Sequence, residues 1–220
     1  MYKIDLHTHS YGSPDGSLKL RHYKRMLEDG ALDIIAVTDH NTVEAALTLQ
    51  KALGEDRIIV GEEITTTEGE IIGLFLRETI AGGLTPKQTI AEIRKQNGLV
   101  YVPHPFETVR KGLSEKSLAK IAADIDILEV HNGRAVFQNH SNQAGTWVKK
   151  HEVAGAASSD AHGYRGWGKT YTCITEKPTC KNLVRLLAEG SYAMHAPGVI
   201  GLLYPKINRA KSRLHHTHAA

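Results

Sequence analysis

The chain has little with which to be secreted, to cross a membrane or to grip nucleic acid. Only two of its 220 residues are cysteines, Cys173 and Cys180. They lack the paired spacing of a zinc ribbon or a disulfide framework, and a reducing cytosol is the compartment that fits them. No stretch approaches the ~18 uninterrupted apolar residues of a membrane span. "MYKIDLH" is not a basic segment leading into an apolar run, so neither export nor membrane insertion is expected. Aromatic residues make up 6% of the chain and form no stripe with basic residues on which bases would stack. Lys plus Arg exceed Asp plus Glu by only 27 to 24, too slight a surplus to argue for a nucleic-acid partner. Much of it falls at the end, where "KINRAKSRLHHTHAA" carries basic residues and no acidic one.

Histidine, by contrast, is abundant. There are 13, several beside Asp or Glu, and that composition points to metal chemistry. Short apolar runs, "KIDLHT", "IIAVTD", "RIIVGEEIT", "EIIGLFL", "LVYVPH", "ILEVHN", "VAGAASSD" and "TYTCIT", alternate with amphipathic stretches of helical period. The alternation predicts parallel strands covered by helices in a single α/β barrel. Helices are expected over 18–29, 42–53, 86–96, 115–123, 139–150 and 181–189. Thr85 and Pro86 read as a cap and first-turn proline, and Gly30, Gly54, Gly98 and Gly190 as left-handed helix ends. Residues 1–195 are expected to form the barrel. Residues 196–220 read as an appendage packed through 199–203 and trailing into solvent, with "HHTH" solvated rather than metal-binding.

The chemistry sits at the strand ends: "DLHTHS", "TDHN", "GEEITT", "PHPF", "EVHNG" and "SSDAH". In an α/β barrel those ends converge on one face. Residues two apart on a strand share a side, so Asp5, His7 and His9 are expected inside and Leu6 outside. Two such imidazoles can grip one ion, with Asp5 orienting one of them through its other ring N–H. Asp15 in "SPDG" is either a further ligand or a turn aspartate. His40 is the preferred donor of "TDHN", with Asp39 its partner or a helix-start carboxylate. Glu63 alternates with Gly61 and is preferred over Glu62. Pro105 is expected to hold His104 in an extended backbone. Asp160 and His162 repeat the two-residue spacing. Nitrogen and carboxylate donors without thiolate suit zinc, manganese or iron.

The ordered motifs "DLHTHS" with "SPDG", "TDHN", "GEE", "HPF" and "SDAH" resemble the PHP (polymerase and histidinol phosphatase) family of metal-dependent phosphoesterases, over about residues 1–170. The resemblance implies a distorted seven-stranded (β/α) barrel holding two or three divalent ions. It implies that His7, His9, Glu63 and Asp160 hold the first ion, that Glu63 bridges to a second held by His104, and that Asp15, His40 and His162 hold a third. Where the family commonly shows a histidine before "IIGLF", this chain has Glu70, an oxygen donor that would favour harder ions such as manganese.

The implied activity is hydrolysis of a small phosphomonoester or phosphodiester, a nucleotide among the candidates, by metal-activated water. Asp160, His40 and His162 are its catalytic candidates, either histidine serving to protonate the leaving alkoxide. No cysteine falls in a motif and no G-x-S-x-G elbow is present, so no protein nucleophile is expected. Arg134 is the foremost candidate for bidentate phosphate binding, followed by Arg110, Lys111 and Arg165, with His131 a pocket wall or substrate contact. Two other readings compete. A metal-dependent amidohydrolase would usually place a bridging lysine on a middle strand, and no strand-end motif supplies one. A non-catalytic metal- or nucleic-acid-binding module would use the basic tail.

Overall fold

The computed structural model describes residues 1–136 and 138–217, with side chains described as far as residue 212. Among the described residues the eight apolar runs form β1 (Tyr2–Asp5), β2 (Ile34–Val37), β3 (Ile58–Thr65), β4 (Glu70–Leu74), β5 (Leu99–Val102), β6 (Ile127–Asn132), β7 (Ala154–Ser158) and β8 (Thr170–Ile174), and a ninth strand that no run marked, β9 (Ser191–Met194), follows. Between and after them lie α1 (Leu20–Glu28), α2 (Glu44–Leu53), α3 (Pro86–Lys95), α4 (Glu115–Ala119), α5 (Ser141–His151), α6 (Leu183–Ala188) and α7 (Val199–Thr217). No helix among the described residues is long and apolar enough to cross a membrane.

All nine strands join one sheet in the order β7-β6-β5-β4-β3-β2-β1-β8-β9. It curls until β7 meets β1 just beyond their ends. There the His9 N–H donates to the Ala161 carbonyl at 2.8 Å and the Asp160 N–H to the His7 carbonyl at 2.9 Å. The Thr172 hydroxyl adds a stitch between β8 and β7, accepting from the Ala157 N–H at 2.9 Å and donating to the Ala157 carbonyl at 3.1 Å. The sheet is thus nearly closed and barrel-like, with nine strands where seven were expected.

Nor is it wholly parallel. β4 runs antiparallel to both β3 and β5, because residues 66–69 are too short a connection for a crossover and force a hairpin. The reversal matters for the site. Glu70, the first residue of β4, pairs with Thr65 at the end of β3, and so arrives at the face where β1, β2, β3, β5, β6 and β7 finish.

From β2 to β7 both faces of the sheet are covered, which is why those strands read as continuous apolar runs, whereas β9 is largely exposed. In β2, Ile35 and Val37 belong to a layer with Met26 of α1 and Leu49 of α2, while Ile34 and Ala36 belong to another with Ile4, Tyr101 and Leu186 of α6. Leu49 is 1% exposed, and truncating such a side chain to alanine costs about 2–5 kcal/mol.

Helix ends follow local chemistry. Thr85 caps α3, its hydroxyl accepting from the Gln88 N–H while Gln88 Oε1 accepts from the Thr85 N–H at 3.0 Å, and Pro86 fills the first turn. Gly30 is left-handed after α1, with φ +64°. After α3 that role falls to Asn97, at φ +59°, rather than Gly98. A Cβ on Gly98 would lie 2.9 Å from the Leu74 carbonyl oxygen, so close approach requires glycine there. Gly54 has a positive φ with an extended ψ, and Gly190 no positive φ at all.

The C-terminal segment departs most from expectation. Instead of trailing away after residue 203, α7 continues to Thr217 and packs on the loops that follow β1 and β7. A Cβ on Gly163 would run into the Tyr204 ring, so the bare glycine seats that tyrosine. Asn208 Nδ2 donates to the carbonyls of Asp15 (2.8 Å) and His162 (3.1 Å). The "HHTH" tract lies outside the described side chains.

Candidate metal centre

Glu63 stands at the middle of a buried cluster. Its Oε1 lies 2.9 Å from His104 Nε2 and 3.5 Å from His7 Nε2, and its Oε2 lies 3.1 Å from His40 Nδ1 and 3.2 Å from His9 Nε2. Glu62 points elsewhere and accepts from the Ile80 N–H, as alternation requires. Asp160 Oδ1 approaches His9 Nε2 at 3.4 Å and His7 Nε2 at 3.7 Å. Among the described residues three groups have donor atoms all within 4.8 Å of one another: His7, His9 and Glu63; Glu63, Glu70 and His104; His9, Asp15, His40 and His162. All nine candidate ligands are therefore brought together, from segments as distant as β1 and β7.

The donor chemistry fits divalent cations. His7 Nε2 and His9 Nε2 face each other at 3.1 Å, an approach satisfied either by one proton that one ring donates to the other or by a cation that accepts both lone pairs. Asp15 Oδ1 is buried with no hydrogen-bond partner, a costly condition for a polar atom that ligation relieves.

The side chains that hold these donors differ in part from those expected. β1 ends at Asp5, so strict alternation does not carry on through Leu6 and His9. Leu6 packs in the layer of Ile4 and Ala36. Asp5 turns to the β7 side, accepting from the Ser159 N–H at 3.0 Å, the Ser159 hydroxyl at 2.5 Å and Trp167 Nε1 at 3.0 Å. The partner of the His7 ring is instead Glu129, whose Oε1 lies 3.2 Å from Nδ1. Asp39 is not at a helix start. It accepts from the Ser10 N–H at 2.7 Å and the Ser13 hydroxyl at 2.8 Å, and Ser13 Oγ lies 3.1 Å from His9 Nδ1. Asp39 thus orients His9 through a serine.

Two candidate ligands have left-handed backbones, His104 at φ +28° and Asp160 at φ +52°. For His104 this overturns the extended conformation expected before Pro105. Such a conformation costs about 1–3 kcal/mol, and it is held by a 2.6 Å bond from the His104 N–H to Glu129 Oε2. A bulge in β6 between Glu129 and His131 breaks the alternation there. Glu129 and Asn132 consequently face the cluster, whereas His131 Nδ1 meets Ser141 Oγ at 2.9 Å and walls a crevice beside His104 and Glu107.

Charge is finely divided. Burial disfavours a proton on His7, but Glu63, Asp160 and Glu129 outweigh it and hold the imidazole well above its usual range. His9 is likewise buried, and Asp160 and Glu63 push it up to about 9. Burial and then the His9 charge bring His162 down to about 3. Against the penalty of burial, His7, His40 and His104 hold Glu63 well below the carboxylate range. Burial and the neighbouring Glu63 push Glu70 up to about 9.

Arginines line one side. Arg110 Nη1 donates to Asp160 Oδ2 at 2.9 Å, and its Nε and Nη2 grip Glu107 at 2.7 and 2.6 Å. Arg134 Nη1 reaches the same Oδ2 at 3.2 Å, and its Nε is buried without a partner. Lys111 is exposed, and its carbonyl accepts from the Glu70 N–H. Arg165 is exposed too, its backbone N–H facing the Tyr204 hydroxyl at 3.4 Å. Sequence reasoning missed Glu129, although a glutamate inside the apolar run "ILEVHN" is a signal of a buried, partnered charge. It also missed Arg209, which donates to Asp15 Oδ2 from α7 through Nε at 3.1 Å and through Nη2. No motif marks it.

Comparison with known proteins is consistent with this architecture. Residues 138–192 match the family model described as PHP-associated. Two uncharacterized proteins of Methanocaldococcus jannaschii are similar to the chain. One is 37% identical over 143 residues, covering 59% of this chain and 81% of that protein, and the other 32% identical over 186 residues, covering 79% and 71%. Among solved structures, a two-domain protein from Bacteroides vulgatus, named for a PHP-like metal-dependent phosphoesterase, superposes with a TM-score of 0.66 at 20% identity, over 94% of this chain and 69% of that one. A protein from Bifidobacterium adolescentis, named as a metal-dependent phosphoesterase, gives 0.60 at 17% identity, over 84% and 94%. Endonuclease Q in complex with a duplex carrying an abasic lesion gives 0.55 at 13% identity, over 89% and 60%. Taken with the five ordered motifs and the cluster they build, these matches support a PHP-domain protein.

Proposed function

We propose that this protein hydrolyses a small phosphoester at the Glu63-centred cluster. The observation that carries the reading is the sharing of donors: Glu63 belongs to two of the three groups and His9 to two, so ions held there would be adjacent. His7, His9, Glu63 and Asp160 would hold one, Glu63, Glu70 and His104 a second, and Asp15, His40 and His162 a third. Bound divalent ions would supply Lewis acidity and a water of lowered pKa.

The protein's own groups account for the rest. Arg134, with an unpartnered Nε beside Asp160, is suited to receive a phosphate oxygen. Arg110 is more committed, tied to Glu107 and Asp160. His162 Nδ1 lies 2.9 Å from the Asp160 carbonyl, and donating its proton there turns the Nε2 lone pair towards Asp15. Where the third ion is not held, His40, with a side chain 22% exposed, is better placed to deliver a proton to the leaving oxygen. Asp160 fixes the reacting geometry from the His7 and His9 side. The substrate class proposed is a phosphomonoester or small phosphodiester.

A panel of p-nitrophenyl phosphate, mononucleotides and amides, each assayed with manganese, tests the reading. Phosphoester turnover supports it. Amide hydrolysis without any phosphoester hydrolysis overturns it.

A further inference from the structure

Asp15 and Asp160 are divided in the same way. On Asp160, Oδ2 is held by Arg110 and Arg134 while Oδ1 faces His7, His9 and His162 Nδ1 at 3.7, 3.4 and 3.3 Å. On Asp15, Oδ2 is held by Arg209 and lies 3.6 Å from His162 Nε2, while Oδ1, buried and without a hydrogen-bond partner, lies 3.7 Å from His40 Nε2. A carboxylate fixed by one oxygen presents the other in a single orientation, and such outer partners set the affinity of metal ligands.

The helix that brings Arg209 is also built onto this spot. Asn208, one residue earlier, binds the backbone carbonyls of both Asp15 and His162, two members of one donor group. Tyr204, one turn before, fills the space left by Gly163. An ordinary surface ion pair contributes little, and Arg209 is indeed 61% exposed, but its partner is 2% exposed and cannot turn to water when released.

We propose that α7 is a working part of the metal centre and that Arg209 is a positioning residue, clamping Asp15 Oδ2 so that Oδ1 ligates the ion shared with His40 and His162. The proposal rests on the metal-centre reading above and deepens it. Arg209 acts through Asp15 and has no part in the chemistry itself.

The test is manganese titration by calorimetry, with the bound metal counted, on full-length protein stripped by chelator. Wild type, Arg209→Ala, Arg209→Lys and Lys206→Ala, an exposed residue of the same helix, are compared. Arg209→Ala is expected to weaken one class of site about 10- to 100-fold and leave the others unchanged. Arg209→Lys should restore part of the loss, and Lys206→Ala should bind as wild type. Unchanged binding by Arg209→Ala overturns the proposal, and so does tighter binding, which would make Arg209 a competitor of the ion. Equal weakening by Lys206→Ala also overturns it, because the effect would then be one of general helix charge. A wild type that binds no manganese at all would refute the metal-centre reading itself, a distinguishable failure.

Discussion

Glu129 Oε1 lies 3.2 Å from Nδ1 of His7, across 122 residues of sequence. The same carboxylate accepts from the Tyr101 hydroxyl at 2.8 Å, the His104 N–H at 2.6 Å and Asn132 Nδ2 at 2.9 Å. One buried side chain therefore fixes the ring of one candidate ligand and the strained backbone of another.

Replacing it should show that role. Glu129→Gln keeps the shape but loses the charge that favours metal-binding imidazole orientation. Manganese affinity at the His7 group is expected to fall about 10- to 100-fold. Asp5→Asn, which touches Ser159 and Trp167 instead, should lower thermal stability and leave metal affinity nearly unchanged. The reverse pattern would restore Asp5 to the orienting role.

The division of ligands among groups has its own test. His7→Ala should empty the group of His7, His9 and Glu63, while metal remains at the group of Asp15, His40 and His162. Counting bound metal per chain after equilibrium dialysis reads this directly. Loss of every ion on the single substitution would mean that the groups fill as one unit.

The arginines should separate binding from chemistry. Arg134→Ala is expected to lower kcat/KM about 10- to 100-fold, the value of one charge-assisted hydrogen bond to phosphate, with most of the change in KM. Arg134→Lys should recover little, because an ammonium offers no planar fork. Arg165→Ala, on an exposed loop residue, should behave as wild type.

Glu62 gives a pH signature independent of the metal centre. Burial raises its carboxyl from the usual 4.5 to about 7, and Oε1 has no partner. Between those values the folded state binds the extra proton, so this group's contribution makes stability fall as pH rises from about 4.5 to about 7 and stay level above. Glu62→Gln removes that slope. Its stability relative to wild type should be greater near pH 8 than near pH 4.5 by on the order of 2–3 kcal/mol. Urea unfolding at the two pH values checks it, and an equal difference at both would contradict it.

Much of the site was legible because its donors are local to strand ends. Glu63 over Glu62 followed from alternation, whereas His7, His9, Asp160 and His162 were marked by their motifs and lie just beyond the ends of β1 and β7. What the sequence hid depends on geometry that periodicity does not encode. The hairpin reverses β4 and brings in Glu70 by its first residue. The bulge in β6 swaps His131 out for Asn132. The end of β1 at Asp5 releases that aspartate from the cluster. Arg209 was invisible for another reason: its partner Asp15 is 194 residues away, and only the docking of α7 joins them.

The most direct measurement is phosphate release from p-nitrophenyl phosphate by protein stripped with chelator and then titrated with manganese, beside Glu63→Gln treated alike. The account predicts an inactive stripped protein, activity that rises with bound manganese, and a Glu63→Gln variant that stays inactive at saturation. Phosphate release by the stripped protein, or a Glu63→Gln variant as active as wild type, would contradict it.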